Sequence, residues 1–318
     1  MRKLIKTAFA IAMSVGVLGL TACNKDLPIQ TVEQRYVSPA SQFVQLSDGV
    51  RLHVRDEGPR DAPVIFLAHG SNASLHTWEP WVGALKGKWR LVSFDFPAHG
   101  LTGPSASGVY TGASYVKVVD ELATSLKIDR FVIAGNSMGG AAAWRYALTH
   151  PEKVAGLILV NAAGYPREGS GRSPLVFRIA RAPVFGEAFS LLTSRSLLEA
   201  NLKQVIVDDS LVTPQMVERY YDLLMRKGNR TATLARLRAG PDDPEAYKQI
   251  STIKVPTLVL WGDVDPWIPV ADATRFTNDI AGSTKVIYSN TGHLVHEERP
   301  TESAAEVDAF LTRVYGAR

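Results

Sequence analysis

The stretch Phe131-Val132-Ile133-Ala134-Gly135-Asn136-Ser137-Met138-Gly139-Gly140, running on into Ala141-Ala142-Ala143-Trp144-Arg145-Tyr146-Ala147-Leu148, decides how the rest of the chain is read. Four apolar residues without alternation suit a strand buried on both faces, and the alanine-rich run after the glycines suits a helix. Between them a serine stands in the spacing G-x-S-x-G. The glycines have a physical reason. A sharp strand-to-helix turn strains its central residue and brings neighbouring backbone close, which leaves no room for side chains beside it. Such a turn would hold Ser137 Oγ at the carboxyl edge of a sheet. The helix N-terminus behind it favours developing negative charge.

The same apolar signature recurs on both sides of this segment. Pro63–Ala68, Leu91–Phe94, Leu157–Val160 and Thr257–Trp261 are continuous apolar runs, and Val286–Tyr288 is a shorter one. Phe43–Leu46 and Val50–Arg55 flank a Ser47-Asp48-Gly49 turn signal. Tyr115–Leu126 and Met138–Leu148 have helical period, and Glu302–Tyr315 is an amphipathic terminal helix. Strands alternating with helices predict a doubly wound, mostly parallel eight-stranded α/β sheet with helices on both faces. The alternation breaks over 166–250, which reads as helices at Leu175–Ile179, Leu191–Val207, Pro214–Lys227 and Thr231–Ala239. This predicts a core of 41–165 and 251–318 with a helical cap, 166–250, inserted into it.

A serine hydroxyl is a poor nucleophile at neutral pH and needs a base. Of seven histidines, His293 sits in Asn290-Thr291-Gly292-His293, after the last apolar strand and before the terminal helix. That loop is expected on the same sheet edge as Ser137. His53 lies in an early strand, His150 closes the helix after Ser137, and His76 and His99 are in loops. His296 is placed in the turn entering the terminal helix. An acid is also needed, to orient the imidazole. Trp261-Gly262-Asp263-Val264-Asp265-Pro266 follows a core strand, and spacing alone does not separate Asp263 from Asp265.

These motifs together resemble the α/β-hydrolase superfamily over about 43–165 and 251–318. The matching elements are His69-Gly70, Asp95-Phe96-Pro97-Ala98-His99-Gly100, the serine turn, the Trp-Gly-x-x-Asp segment and Gly292-His293. The resemblance implies a triad in the chain order Ser137, Asp265, His293, since its W-G-x-x-D pattern places the acid three residues after the glycine. Some relatives carry the acid after the sixth strand, where this chain has Asn161. The resemblance also implies an oxyanion hole from the backbone N–H of Met138 and one from the loop His69-Gly70-Ser71-Asn72, with Ser71 the candidate. His69 is expected to brace that loop. A serine at the turn, rather than an aspartate, argues against dehalogenase or epoxide-hydrolase chemistry.

Bulk composition limits the other possibilities. The chain has 318 residues, 46% hydrophobic and 21% charged, with a formal charge of +4. Residues 1–22 hold Arg2, Lys3 and Lys6 and no acid, so the remainder is nearly neutral and no nucleic-acid partner is expected. No zinc, P-loop or dinucleotide motif occurs, so no metal or cofactor is expected.

The N-terminus reads as an export signal. A basic start precedes an apolar stretch, Thr7–Leu20, too short to span a bilayer comfortably. It ends in Leu20-Thr21-Ala22-Cys23, with the chain's only cysteine. This is similar to the lipobox of bacterial lipoproteins, which implies cleavage after 1–22 and lipidation of Cys23. Asn24, not Asp, then favours the outer membrane, facing the periplasm. Residues 23–40 read as a polar tether between this anchor and the catalytic body.

An esterase acting on small or medium apolar acyl groups is the leading expectation. Leu175, Val176, Phe177, Phe185, Phe189, Leu191 and Leu192 are candidates for an acyl pocket or for the cap's own core. An inward arginine of the cap would suit a carboxylate. The turn GNSMGG and Asp208–Thr213 also resemble carbon–carbon hydrolases of ring-cleavage products, although Leu294 stands where many of these have tryptophan. From another class comes a non-catalytic binding protein on the same fold, which an intact Ser-Asp-His set argues against.

Overall fold

A computed structural model of the protein describes residues 25–166, 182, 186, 192–240 and 242–316. Eight strands form one sheet: β1 (Ser41–Gln45), β2 (Arg51–Glu57), β3 (Val64–Ala68), β4 (Arg90–Phe94), β5 (Phe131–Asn136), β6 (Val154–Val160), β7 (Thr257–Gly262) and β8 (Thr284–Tyr288). Their spatial order is β1-β2-β4-β3-β5-β6-β7-β8. The pairs β1–β2 and β2–β4 are antiparallel and the rest are parallel. The helices are α1 (Ile29–Tyr36), α2 (Glu79–Leu85), α3 (Gly112–Ser125), α4 (Met138–Thr149), α5 (Arg195–Val205), α6 (Pro214–Met225), α7 (Asn229–Ala239), α8 (Ala271–Asp279), α9 (Val295–Glu298) and α10 (Pro300–Tyr315).

The unbroken apolar runs have a direct cause. Every residue of β3, β5, β6 and β7 is buried, because helices cover both faces of the sheet. Alternate side chains divide between the two layers. Phe66, Leu157, Leu159, Val259 and Trp261 pack with α3, α4 and α8 on one face. Ile65, Leu67, Ile158, Val160, Leu258 and Leu260 pack with α2 and α10 on the other. From β3 the chain crosses to β4 on one side and then back to β5 on the other, so the loops after β3 and β5 diverge. Such a switch opens a crevice at the carboxyl edge of the sheet, and ligands bind there.

Between β6 and β7 the described residues form α5, α6 and α7. The first two share a small core of Leu198, Leu202, Val205, Val217, Tyr220 and Met225, which also takes in Ala73 and Leu294 from the loops below, whereas Ala232 of α7 packs into the main core. The first of these helices starts at Arg195, behind a Ser194 cap that accepts from Leu197 N–H, and not at Leu191. The expected helix Leu175–Ile179 lies outside the described residues. So do the pocket candidates Leu175, Val176, Phe177, Phe185, Phe189 and Leu191, whereas Leu192 is exposed.

The expected tether needs correction. From Leu27 onward it is docked on the body, and 29–36 form helix α1. Leu27 N–H donates to Met225 O (2.7 Å) and Lys227 N–H to Leu27 O (2.9 Å). Val32 is fully buried beside Leu101 and Leu223. Arg35 pairs with Asp222 at 2.6 Å, and Arg230 with Asp26 at 2.7 Å. A segment held by one apolar anchor and several ion pairs has no hydrophobic period to read.

Candidate active site

Ser137 follows β5 and caps α4, with φ 53° and ψ −115°. This positive φ is unusual for a serine and is held by three backbone hydrogen bonds. Its N–H donates to Val160 O, and its carbonyl accepts from Ala141 and Ala163. The glycines around it serve close approach. A Cβ on Gly135 would lie 2.3 Å from Gly139 O, and one on Gly139 would lie 2.1 Å from Ala68 O. Ser137 is half-buried, so its hydroxyl stays accessible at the sheet edge.

His293 is 1% exposed, and its Nδ1 lies 2.7 Å from Asp265 Oδ2. A carboxylate only accepts, so Nδ1 carries the proton and Nε2 keeps its lone pair. Nε2 is buried without a hydrogen-bond partner among the described residues, and Ser137 Oγ and His293 make no hydrogen bond with each other. Long hydrogen bonds between nucleophile and base are common before substrate binds.

Asp265 is saturated with donors. Oδ1 accepts from Trp267 N–H (2.7 Å) and Ile268 N–H (3.0 Å), and Oδ2 accepts from His293 and from Asn161 Nδ2 (2.8 Å). Burial pushes this carboxyl up, but His293 and the two backbone N–H groups outweigh it and hold it below the usual range. Asp263 is placed otherwise: its Oδ1 accepts from Thr291 N–H at 3.4 Å. Asn161, standing where some relatives carry the acid, instead donates to the acid from the next strand.

Four further residues position the histidine, and sequence reasoning missed them. Asn136 Nδ2 donates to His293 O (3.2 Å) and Val160 O (3.1 Å), tying the serine turn to the histidine loop. A polar residue closing an otherwise apolar strand was its one signal. Glu298 accepts from Gly292 N–H (2.8 Å) and Val207 N–H (2.9 Å), and His293 N–H donates to Val205 O (2.8 Å). Burial holds the Glu298 carboxyl above the usual range despite those donors. Trp267 packs on the imidazole with ring centroids 5.1 Å apart. His296, expected in a turn, lies in α9, buried and 2.8 Å from Thr77 Oγ1.

The two candidate oxyanion donors flank the serine. Met138 is the first residue of α4, where a backbone N–H has no intrahelical acceptor. Gly70 presses on the turn from the end of β3, since a Cβ there would lie 3.3 Å from Ser137 Cβ. Ser71 follows, half-buried, and Asn72 turns the loop with φ 59°. His69 Nε2 accepts from Phe96 N–H (3.0 Å), so its Nδ1–H donates to Gly70 O (2.7 Å). Burial lowers its pKa and keeps it neutral, as this pattern requires. Cys23 lies outside the described residues.

A second Ser-His-Asp chain lies in the core. His53 Nε2 is 2.8 Å from Ser41 Oγ, and His53 Nδ1 is 2.7 Å from Asp95 Oδ2. Ser41 opens strand β1 and does not head a helix, and Asp95 also accepts from Leu75 and Leu101 N–H. This chain braces the loop after β4, where Thr102 Oγ1 also donates to Asp95 O at 2.7 Å. Among the described residues, no group of three or more His, Cys, Asp or Glu side chains is placed to hold a metal.

A family described as the alpha/beta hydrolase fold matches residues 63–300. A 2-hydroxy-6-oxononadienedioate/2-hydroxy-6-oxononatrienedioate hydrolase of Pseudomonas putida is 30% identical, over 86% of this chain and 96% of its own length. Among solved structures, the enol-lactonase from Burkholderia xenovorans LB400 aligns with a TM-score of 0.73 and 26% identity, covering 85% of this chain and 100% of its own. A bacterial membrane phospholipase A aligns with a TM-score of 0.70 and 25% identity over 99% of both chains.

Proposed function

This chain belongs to the alpha/beta hydrolase fold family, and on that premise we propose that it is a serine esterase, cleaving carboxylic esters of small to medium apolar acyl groups. One observation carries the proposal: a positive-φ serine heads a helix on the sheet edge that also holds the His293–Asp265 pair at 2.7 Å. In this mechanism Ser137 Oγ attacks the ester carbonyl and His293 Nε2 takes its proton. Asp265 stabilises the imidazolium. The N–H groups of Met138 and Ser71 hold the oxyanion, and its collapse expels the alcohol, which takes the proton from His293. Water activated by His293 then attacks the acyl-serine, releasing the acid and restoring Ser137.

A second reading, hydrolysis of a carbon–carbon bond in a ring-cleavage product, draws support from the 30% identity to the Pseudomonas putida hydrolase. Its machinery overlaps, so substrates must separate the two. The purified protein is tested on p-nitrophenyl esters from acetate to octanoate beside a 2-hydroxy-6-oxo-dienoate. The expected result is ester kcat/KM well above that for the dienoate, with a chain-length optimum. Turnover of the dienoate alone would replace the esterase reading with the second one.

The proposal extends to the N-terminus: residues 1–22 are a signal peptide, and Cys23 is lipidated and holds the protein to a bacterial membrane, with Asn24 pointing to the outer membrane facing the periplasm. Leu20-Thr21-Ala22-Cys23 supports this, as does the likeness to a membrane phospholipase along 99% of the chain. Because Leu27 is docked on the body, an anchor at Cys23 would hold the site on a leash of about 14 Å. Metabolic lipid labelling is expected for wild type and not for Cys23→Ser. Equal labelling of the two would overturn the assignment.

A further inference from the structure

Cap helix α7 sends one side chain down to the serine turn. Arg236 Nη2 donates to Ser71 Oγ at 2.5 Å, and Nη1 lies 3.6 Å from Met138 Sδ. One guanidinium therefore touches both residues whose backbone N–H groups flank the proposed oxyanion position. A guanidinium has donors only, so Ser71 Oγ must be the acceptor in that contact. Its own proton is then directed elsewhere, and among the described residues no acceptor lies within reach of it. Ser71 also sits one residue beyond Gly70, whose α-carbon faces the Ser137 β-carbon. An anion forming on the carbonyl under attack is an acceptor this hydroxyl can reach.

Resting on the Ser137 reading above, we propose that the Ser71 hydroxyl is a third oxyanion donor and that Arg236 is the positioning residue that turns its proton toward the anion. The cation strengthens the donor as well as aiming it. A hydroxyl that accepts from a charged donor is polarised, and the effect is larger where water is excluded. The guanidinium's field reaches the neighbouring imidazoles: after burial, it is among the causes that lower the pKa of His69 and His99. Because the proton acts on charge that appears only during reaction, its contribution falls on kcat and not on substrate affinity. The arginine belongs to the cap and the serine to the core, so the oxyanion hole is complete only with the cap seated. The cap thereby takes part in the chemistry as well as in substrate choice.

The test is steady-state kinetics on a neutral p-nitrophenyl ester with Ser71→Ala, Ser71→Thr, Arg236→Gln and the Ser71→Ala/Arg236→Gln pair. Fluorophosphonate labelling of Ser137 is run on each protein. Ser71→Ala is expected to lower kcat about 10²-fold with KM nearly unchanged, as for loss of one oxyanion donor. Ser71→Thr keeps the hydroxyl and is expected to retain most of the rate. Arg236→Gln is expected to lower kcat about 10-fold, and adding Ser71→Ala to it to cost less than in wild type, because the two act as one unit. Unchanged kcat in Ser71→Ala, full additivity in the pair, or a raised KM with unchanged kcat in Arg236→Gln would each overturn the proposal. The last outcome would make Arg236 a ground-state substrate contact. Should Ser71→Ala not fold, Ser71→Thr and Arg236→Gln still decide the question. Failure of wild type to label would instead reject the serine reading itself.

Discussion

Ser137→Ala is expected to fold as the wild type does and to lose turnover by about 10⁴-fold or more. The fold is retained because the contacts that hold the turn are backbone ones. The Ser137 N–H reaches Val160 O, and its carbonyl accepts from Ala141 and Ala163, all of which alanine keeps. Alanine is strained at φ 53° much as serine is, and no hydrogen bond of the hydroxyl to the rest of the described protein is lost. Only the nucleophile disappears, leaving base and oxyanion donors without a bond to form. Thermal unfolding beside ester kinetics checks both halves. Near wild-type activity in a folded variant would reject the mechanism.

Asp265→Asn is expected to cost a similar factor, about 10⁴-fold in kcat, for a reason specific to this site. The four donors around the carboxylate come from both sides: Trp267 and Ile268 N–H on Oδ1, His293 and Asn161 on Oδ2. An amide presents only one acceptor atom. If its oxygen satisfies the backbone pair, its NH₂ faces His293 Nδ1. The imidazole then shifts its proton to Nε2 and can no longer accept one from Ser137. Asp263→Asn is expected to change kcat little, since Asp263 contacts only Thr291 N–H at 3.4 Å among these groups. Asn161→Ala removes one charged-acceptor hydrogen bond of about 1.5–3 kcal/mol and is expected to cost about 10- to 100-fold. A larger loss from Asp263→Asn than from Asp265→Asn would reverse the assignment.

The fold was legible because its strands are covered on both faces. Val64–Ala68, Phe131–Asn136 and Val154–Val160 carry no polar alternation, and glycines punctuate them where the backbone must approach closely. The serine and histidine candidates came from their loops, whereas spacing did not choose between Asp263 and Asp265 and only the Trp-Gly-x-x-Asp resemblance pointed to Asp265. Two carboxylates two residues apart in one loop differ only in where the loop aims them, and the structure aims Asp265 at His293. What the sequence hid were contacts between distant segments. Arg236 meets Ser71 across 165 positions and Asn136 meets His293 O across 157, and a partner that far along the chain leaves no local pattern to read. The α1 segment was misread for the same reason. Val32 is its single buried side chain, and the ion pairs at Arg35 and Asp26 find their partners in the cap.

The central claim is that one serine, Ser137, is activated. Intact-protein mass spectrometry after treatment with a fluorophosphonate, followed by peptide mapping, tests this most directly. The expected result is one adduct per chain, on the peptide containing Ser137, absent in Ser137→Ala and strongly slowed in Asp265→Asn. The core chain Ser41–His53–Asp95 provides an internal control, since it has the same hydrogen-bond order without the strained turn or the helix N-terminus. No adduct on the folded wild-type protein, or an adduct on Ser41 in place of Ser137, would contradict the account.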